Sequence, residues 1–109
     1  MKSKEIARRE WQRFCDDFSR KHRGEKVSVD VLDRDLGAQR EIENQPFVGI
    51  SADEKNGENI IEVMVGGQPN RNEERIINNP AHLRVAEGGK PAIEIEARDG
   101  PTTIVTFDE

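Results

Sequence analysis

The chain has 109 residues, 36% of them charged and 33% apolar, with a formal net charge of −5. That length suits one domain, 1–109, with one core. No apolar run approaches the roughly 18 residues that a membrane-spanning helix needs, and a single cysteine, Cys15, leaves no internal disulfide.

Twenty-five Leu, Ile, Val and Phe residues make up about 23% of the chain, slightly above the roughly 20% below which disorder is the default. Eighteen of the 25 are Ile or Val and three are Leu. β-branched residues lose rotamer freedom in helices and pack well on pleated surfaces, so a thin, strand-rich core is expected. Met1–Glu10 reads MKSKEIARRE, a basic start with no apolar stretch behind it, so no secretory leader is expected and a reducing cytoplasm is the simplest home.

Residues 3–23 read as an amphipathic helix. Ile6, Ala7, Trp11, Phe14, Cys15 and Phe18 recur at three-and-four spacing and fall on one half of the helical wheel. Arg8, Arg9, Gln12, Arg13, Asp16 and Arg20 occupy the other. Ser3 is placed to cap the start. Arg20, Lys21, His22 and Arg23 before Gly24 suit the end. The aromatic ridge of Trp11, Phe14 and Phe18 is expected to pack on a sheet.

From residue 25 to 107 the period changes to two. Val27, Val29 and Val31 mark a half-buried strand. Ala38–Asn44 alternates with polar residues and reads as a short or edge strand. Pro46 is expected to interrupt it, with Phe47–Ala52 as a separate strand. Asn56-Gly57 is a tight-turn signal, and Asn59–Val65 places Ile61, Val63 and Val65 on one face. Gly66–Asn70 reads as a mobile tip. Arg75-Ile76-Ile77 and Leu83-Arg84-Val85 are short apolar pieces divided by Pro80. The last hairpin has two open registers: an Asp99-Gly100 loop pairs Ile95 with Ile104, and a longer loop pairs Ile95 with Val105. The fold class is therefore α+β, one helix on an antiparallel meander or partly closed barrel of about six to seven short strands.

Charge is uneven. Residues 1–26 hold nine Lys or Arg and five acids, a balance of +4, and the remainder hold eight and seventeen, a balance of −9. Arg8, Arg9, Arg13 and Arg20 form the candidate anion-binding or nucleic-acid-binding set. Against it, acids four residues from these cations can pair within the helix. Glu41, Glu43, Glu94 and Glu96 would repel phosphate, and no strand carries an aromatic platform for bases.

No catalytic residues assemble from spacing, so the balance leans away from an enzyme. Cys15 sits on the apolar helix face as a small buried hydrophobe rather than a nucleophile. His22 is expected beside the helix end, kept neutral by neighbouring cations, and His82 at a strand start. No zinc spacing occurs. Asp33-x-Asp35-x-Gly37 resembles a calcium loop, but Leu36 stands where a ligand belongs, so a turn is the better reading. No metal or cofactor is expected. A small-molecule pocket between helix and sheet, bounded by Trp11 and Phe18, is a further reading.

Glu10-Trp11 with Phe14 and Phe18, Ser19-Arg20-Lys21-His22-Arg23-Gly24, Val27-x-Val29-x-Val31-Leu32, Leu36-Gly37-Ala38-Gln39, Gly49-Ile50-Ser51-Ala52-Asp53 and Met64-Val65-Gly66 occur in an order and spacing that resembles a family of small bacterial proteins known only as a domain of unknown function. The resemblance covers nearly the whole chain. It implies a bacterial, cytoplasmic, stand-alone domain and assigns no activity and no site residue. The function expected is that of a non-enzymatic interaction or accessory protein. A thin core gains from company, so a protein partner or self-association through a sheet edge is expected.

Overall fold

The computed structural model describes residues 2–68 and 71–108. One helix packs on an antiparallel sheet of eight strands: β1 (Lys2–Glu5), β2 (Lys26–Asp33), β3 (Gly37–Lys55), β4 (Glu58–Gln68), β5 (Arg71–Asn78), β6 (Pro80–Glu87), β7 (Ala92–Ala97) and β8 (Thr102–Phe107). The spatial order β1-β6-β7-β8-β2-β3-β4-β5 has two free ends, so the sheet does not close. The chain is α+β as expected, with one strand more than the sequence reading allowed.

The extra strand is the first. Lys2–Glu5 pairs with β6, Ser3 opposite Ala86 and Lys4 opposite Val85. The helix therefore does not begin at Ser3, and Ser3 caps nothing. A single 3-10 turn, Arg8–Glu10, leads into α1 (Trp11–His22). Ile6 is buried as expected, but it is held from the strand side: its N–H donates to the Leu83 carbonyl at 2.8 Å, and its own carbonyl accepts from Trp11 Nε1 at 3.0 Å. The far end of α1 matches its composition. Gly24 follows at φ +93°, a left-handed conformation that glycine adopts without steric cost, and its N–H reaches the Phe47 carbonyl.

The aromatic ridge covers the sheet as expected. Trp11, Cys15 and Phe18 are buried, and Phe14 packs partly buried beside them. The Phe18 ring meets Phe107 and Phe47 edge-on at centroid distances of 5.2 and 6.2 Å, and Phe47 meets Phe107 at 5.0 Å. Such tilted contacts suit the ring quadrupoles.

Alternation fixes the inward face of each strand. Val27 and Val29, Ile61, Val63 and Val65, and Ile93, Ile95 and Val105 are all fully buried. Asn56 and Gly57, both at positive φ, form the two-residue turn of the β3–β4 hairpin.

Pro46 does not interrupt the chain. β3 runs through it for 19 residues, pairing with β2 as far as Pro46 and with β4 from Phe47. A register shift near Val27–Val29, opposite Asn44 at φ +52°, absorbs the bend. Proline is tolerated at such a bulge, where the strand exchanges one neighbour for the other. The first half of β3 is an edge beyond its β2 pairing, in keeping with its polar alternation. Gly66 to Gln68 continue β4, and the remainder of the expected tip, Pro69 and Asn70, lies outside the described residues.

The last hairpin adopts neither expected register. Ile93 pairs with Val105 and Ile95 with Thr103. The loop is Arg98-Asp99-Gly100, one residue earlier than the longer alternative, with the Ala97 N–H directed at the Pro101 carbonyl. Pro101 thus begins the return and is spared a left-handed conformation.

Candidate functional site

The chemistry-bearing side chains form two groups. The first is a charge ladder on β1, β6 and β7. Strand pairing sets Glu5 opposite Arg84, and Arg84 opposite Glu94. The Glu5 carboxylate takes His82 Nδ1 at 2.8 Å and Arg84 Nε at 3.5 Å, and Arg84 Nη1 reaches Glu94 at 2.9 Å and Glu96 at 3.2 Å. The hydrogen bond from His82, with the nearby Arg84 charge, holds the Glu5 carboxyl below its usual range, and Glu96 raises the Arg84 guanidinium above its own. The ladder faces solvent, and each member is satisfied by the next. His82 stands in the first half of β6, as expected.

The second group lies around the β7–β8 turn. On one side a broad cleft of about 840 Å³ separates this turn from the β2–β3 turn. Its walls bring Asp33, Asp35, Glu96 and Asp99 together with two cations, Arg34 and Arg98, and Leu32. Asp33 Oδ1 accepts from the N–H groups of Asp35 and Leu36, at 2.8 and 3.1 Å, so the loop is a side-chain-capped turn. On the other side a smaller recess of about 250 Å³ lies between β5 and the β7–β8 hairpin, lined by Arg75, Ile76, Ile77 and Thr103 among others. Arg75 Nε and Thr103 Oγ1, each closed off from solvent, have no hydrogen-bond partner among the described residues.

Three large apolar side chains are exposed among the described residues. Leu32 (39% exposed) lines the broad cleft, Leu36 (68%) projects from the same turn, and Ile76 (48%) lines the recess.

The candidate anion-binding arginines of the first segment do not converge in one pocket. Arg8 donates to the Pro80 carbonyl at 3.5 Å and lies over the Trp11 ring at 4.8 Å. Arg9 and Arg13 both approach Glu10, at 4.0 and 3.7 Å, and Arg20 pairs with Asp17. The carboxylates engaged are one or three residues away rather than four. His22 pairs with Glu25 at 2.8 Å, not with a cation, and lies against Phe18 and Phe107. Cys15 is fully buried, and burial pushes its thiol up to about 12. The helix-side cleft, about 390 Å³, has Phe18, His22 and Val85 in its walls; Trp11 is sealed in the core instead.

Sequence reasoning missed Arg75 and Thr103. Arg75 was grouped with the apolar pair that follows it. Its position two residues before the buried Ile77 is the signal that it shares the inward face.

The fold defines a small α+β protein with one helix packed on an open antiparallel sheet. Over residues 2–109 the chain matches the model of a family of unknown function, DUF5335, and it belongs to that family. It is similar to an uncharacterized protein of Aquifex aeolicus (strain VF5), 27% identical over 107 residues that cover 96% of this chain and 91% of the relative. No solved structure matches it. No helix among the described residues is long and apolar enough to cross a membrane.

Proposed function

We propose that this protein is a non-enzymatic accessory protein of the bacterial cytoplasm that binds a protein partner through the end of the sheet around the β7–β8 turn. The observation that carries this reading is the pair of exposed apolar side chains on the β2–β3 turn, Leu32 in the wall of the broad cleft and Leu36 beside it in sequence. Exposed apolar side chains scattered singly need no explanation, whereas a group of them rimmed by polar residues marks interaction surfaces. The acids of the broad cleft outnumber its cations, so the partner that fits it presents an apolar residue flanked by Lys or Arg. The charge ladder of Glu5, His82 and Arg84 supports the non-enzymatic half of the reading, since its groups are spent on one another across an open surface.

A photo-crosslinking amino acid at position 36, compared with one at the exposed Gln12 of α1, tests the proposal in living cells. Crosslinks concentrated at position 36, to a protein with a basic apolar segment, are expected. Equal labelling from both positions, or crosslinks only between copies of this chain, would overturn it.

A further inference from the structure

The outer face of β4 and β5 sets apolar side chains against acids. Ile61, Val63, Val65 and Ile77 turn into the core and are buried, so the residues that alternate with them face outward. On that outward side Ile60 stands opposite Asp53, Ile76 opposite Glu62 and Met64 opposite Glu74. Ile76 is exposed, and Ile60 and Met64 are half-buried. Directly opposed residues on one face of a ladder interact, and a cation is the usual stabilising neighbour of a carboxylate there. Each of these three acids meets a large apolar side chain instead. None of them enters an ion pair among the described residues.

The helix bounds this face without supplying the missing cations. α1 runs beside β3, tied by Ser19 to the backbone of Ile50, and forms one wall of a groove of about 390 Å³ whose lining includes Glu62 and Met64. The two cations of that wall are engaged: Arg20 pairs with Asp17, and Arg23 Nε donates to the Val48 carbonyl at 3.2 Å. Lys55 stands at the far end of the hairpin, opposite Glu58.

We propose that this face docks a basic amphipathic helix of a partner protein. The apolar side of such a helix lies on Ile60, Met64 and Ile76, and its Lys or Arg residues meet Asp53, Glu62 and Glu74. A second copy of this chain does not fit. The solvent side of its own α1 presents Gln12, Arg13, Asp16 and Arg20, with no large apolar residue among them. The acids repel nucleic acid and anionic lipid alike. The face is separate from Leu32 and Leu36 on the β2–β3 turn, so neither reading depends on the other.

The test is titration of ¹⁵N-labelled protein with a synthetic amphipathic helix of Leu and Lys, about 18 residues long so that it forms in isolation. The same peptide with Glu in place of Lys is the control. Saturable shifts of the Glu62, Met64 and Ile76 amides are expected with the basic peptide alone, and the affinity should fall as salt rises. Ile76→Ser alters an exposed side chain and is expected to weaken binding about fivefold, through the apolar area no longer covered. Glu62→Gln is expected to weaken it about threefold. Unchanged affinity in Ile76→Ser overturns the proposal, as does equal binding of the acidic peptide. Shifts confined to the β2–β3 and β7–β8 turns would place the helix in the broad cleft and overturn it too. So would a dimer of the free protein that Ile76→Ser abolishes, since the face would then belong to a second copy.

Discussion

The Ser19 hydroxyl engages both polar backbone groups of Ile50: it donates to the carbonyl at 2.9 Å and accepts from the N–H at 2.8 Å. One side chain thus joins α1 to the middle of β3. The neighbouring Gly49 makes this approach possible, because a Cβ there would lie 3.3 Å from Ser19 Oγ.

Ser19→Ala removes both bonds and leaves a buried N–H and carbonyl of Ile50 without this partner. A loss of about 1–3 kcal/mol is expected, read as a lower urea midpoint with unchanged slope. An unaltered midpoint would show that water replaces the hydroxyl.

Cys15 is fully buried, with its thiol pushed up to about 12 from an ordinary 9.0, first by burial and then by the Asp16 charge. The native protein is expected to resist a thiol reagent at pH 8 and to react at once in denaturant. Between pH 9 and 12 the unfolded chain releases this proton and the folded chain keeps it, so stability falls as pH rises, by up to about 1.4 kcal/mol per pH unit from this group. Comparison with Cys15→Ala, whose alkaline slope should be shallower, isolates the contribution.

Glu5 follows the opposite sign. Its carboxyl is held below 4.5, first by the hydrogen bond with His82 and with help from Arg84. The stabilisation it gives is present above pH 4.5 and is lost as pH falls through the lowered folded value. Glu5→Gln should therefore be less stable than wild type at pH 6 and indistinguishable from it at the acid extreme. Hydrogen exchange at the Ile6 amide, bonded to Leu83, should quicken in the variant at pH 6. Equal exchange in both proteins would mean that the ladder does not hold β1.

Thr103→Val deletes an enclosed hydroxyl that has no partner and keeps the shape of the side chain. This substitution should be neutral or raise stability, by about 1–3 kcal/mol at most. A fall in melting temperature would mean that Oγ1 is satisfied in solution.

Features written in local alternation were legible. Val27, Val29 and Val31, the Ile61–Val65 face, the Asn56-Gly57 turn and the Trp11–Phe18 ridge each follow from spacing within a few residues. Features set by distant partners were not. Lys2–Glu5 is polar and becomes a strand only because β6 offers it an edge. Pro46 lies within a strand at the point where β3 passes from its β2 pairing to its β4 pairing, just beyond the register shift near Asn44. The last hairpin took the register that buries Ile93, Ile95, Thr103, Val105 and Phe107 together, and that decision belongs to the whole core. The candidate site was the least legible part. Arg75 and Thr103 come from separate strands, and their unpaired state is a property of packing.

The pairing of Ser3 with Ala86 has a consequence for the birth of the molecule. β1 finds its neighbour only when β6 has left the ribosome, and β2 waits longer still for β8. Until then the growing chain exposes a valine-rich strand with one of its sides unmatched. Assembly therefore waits on closure of long loops, which is slow, and a high density of charge helps the nascent protein to remain dispersed until β8 emerges.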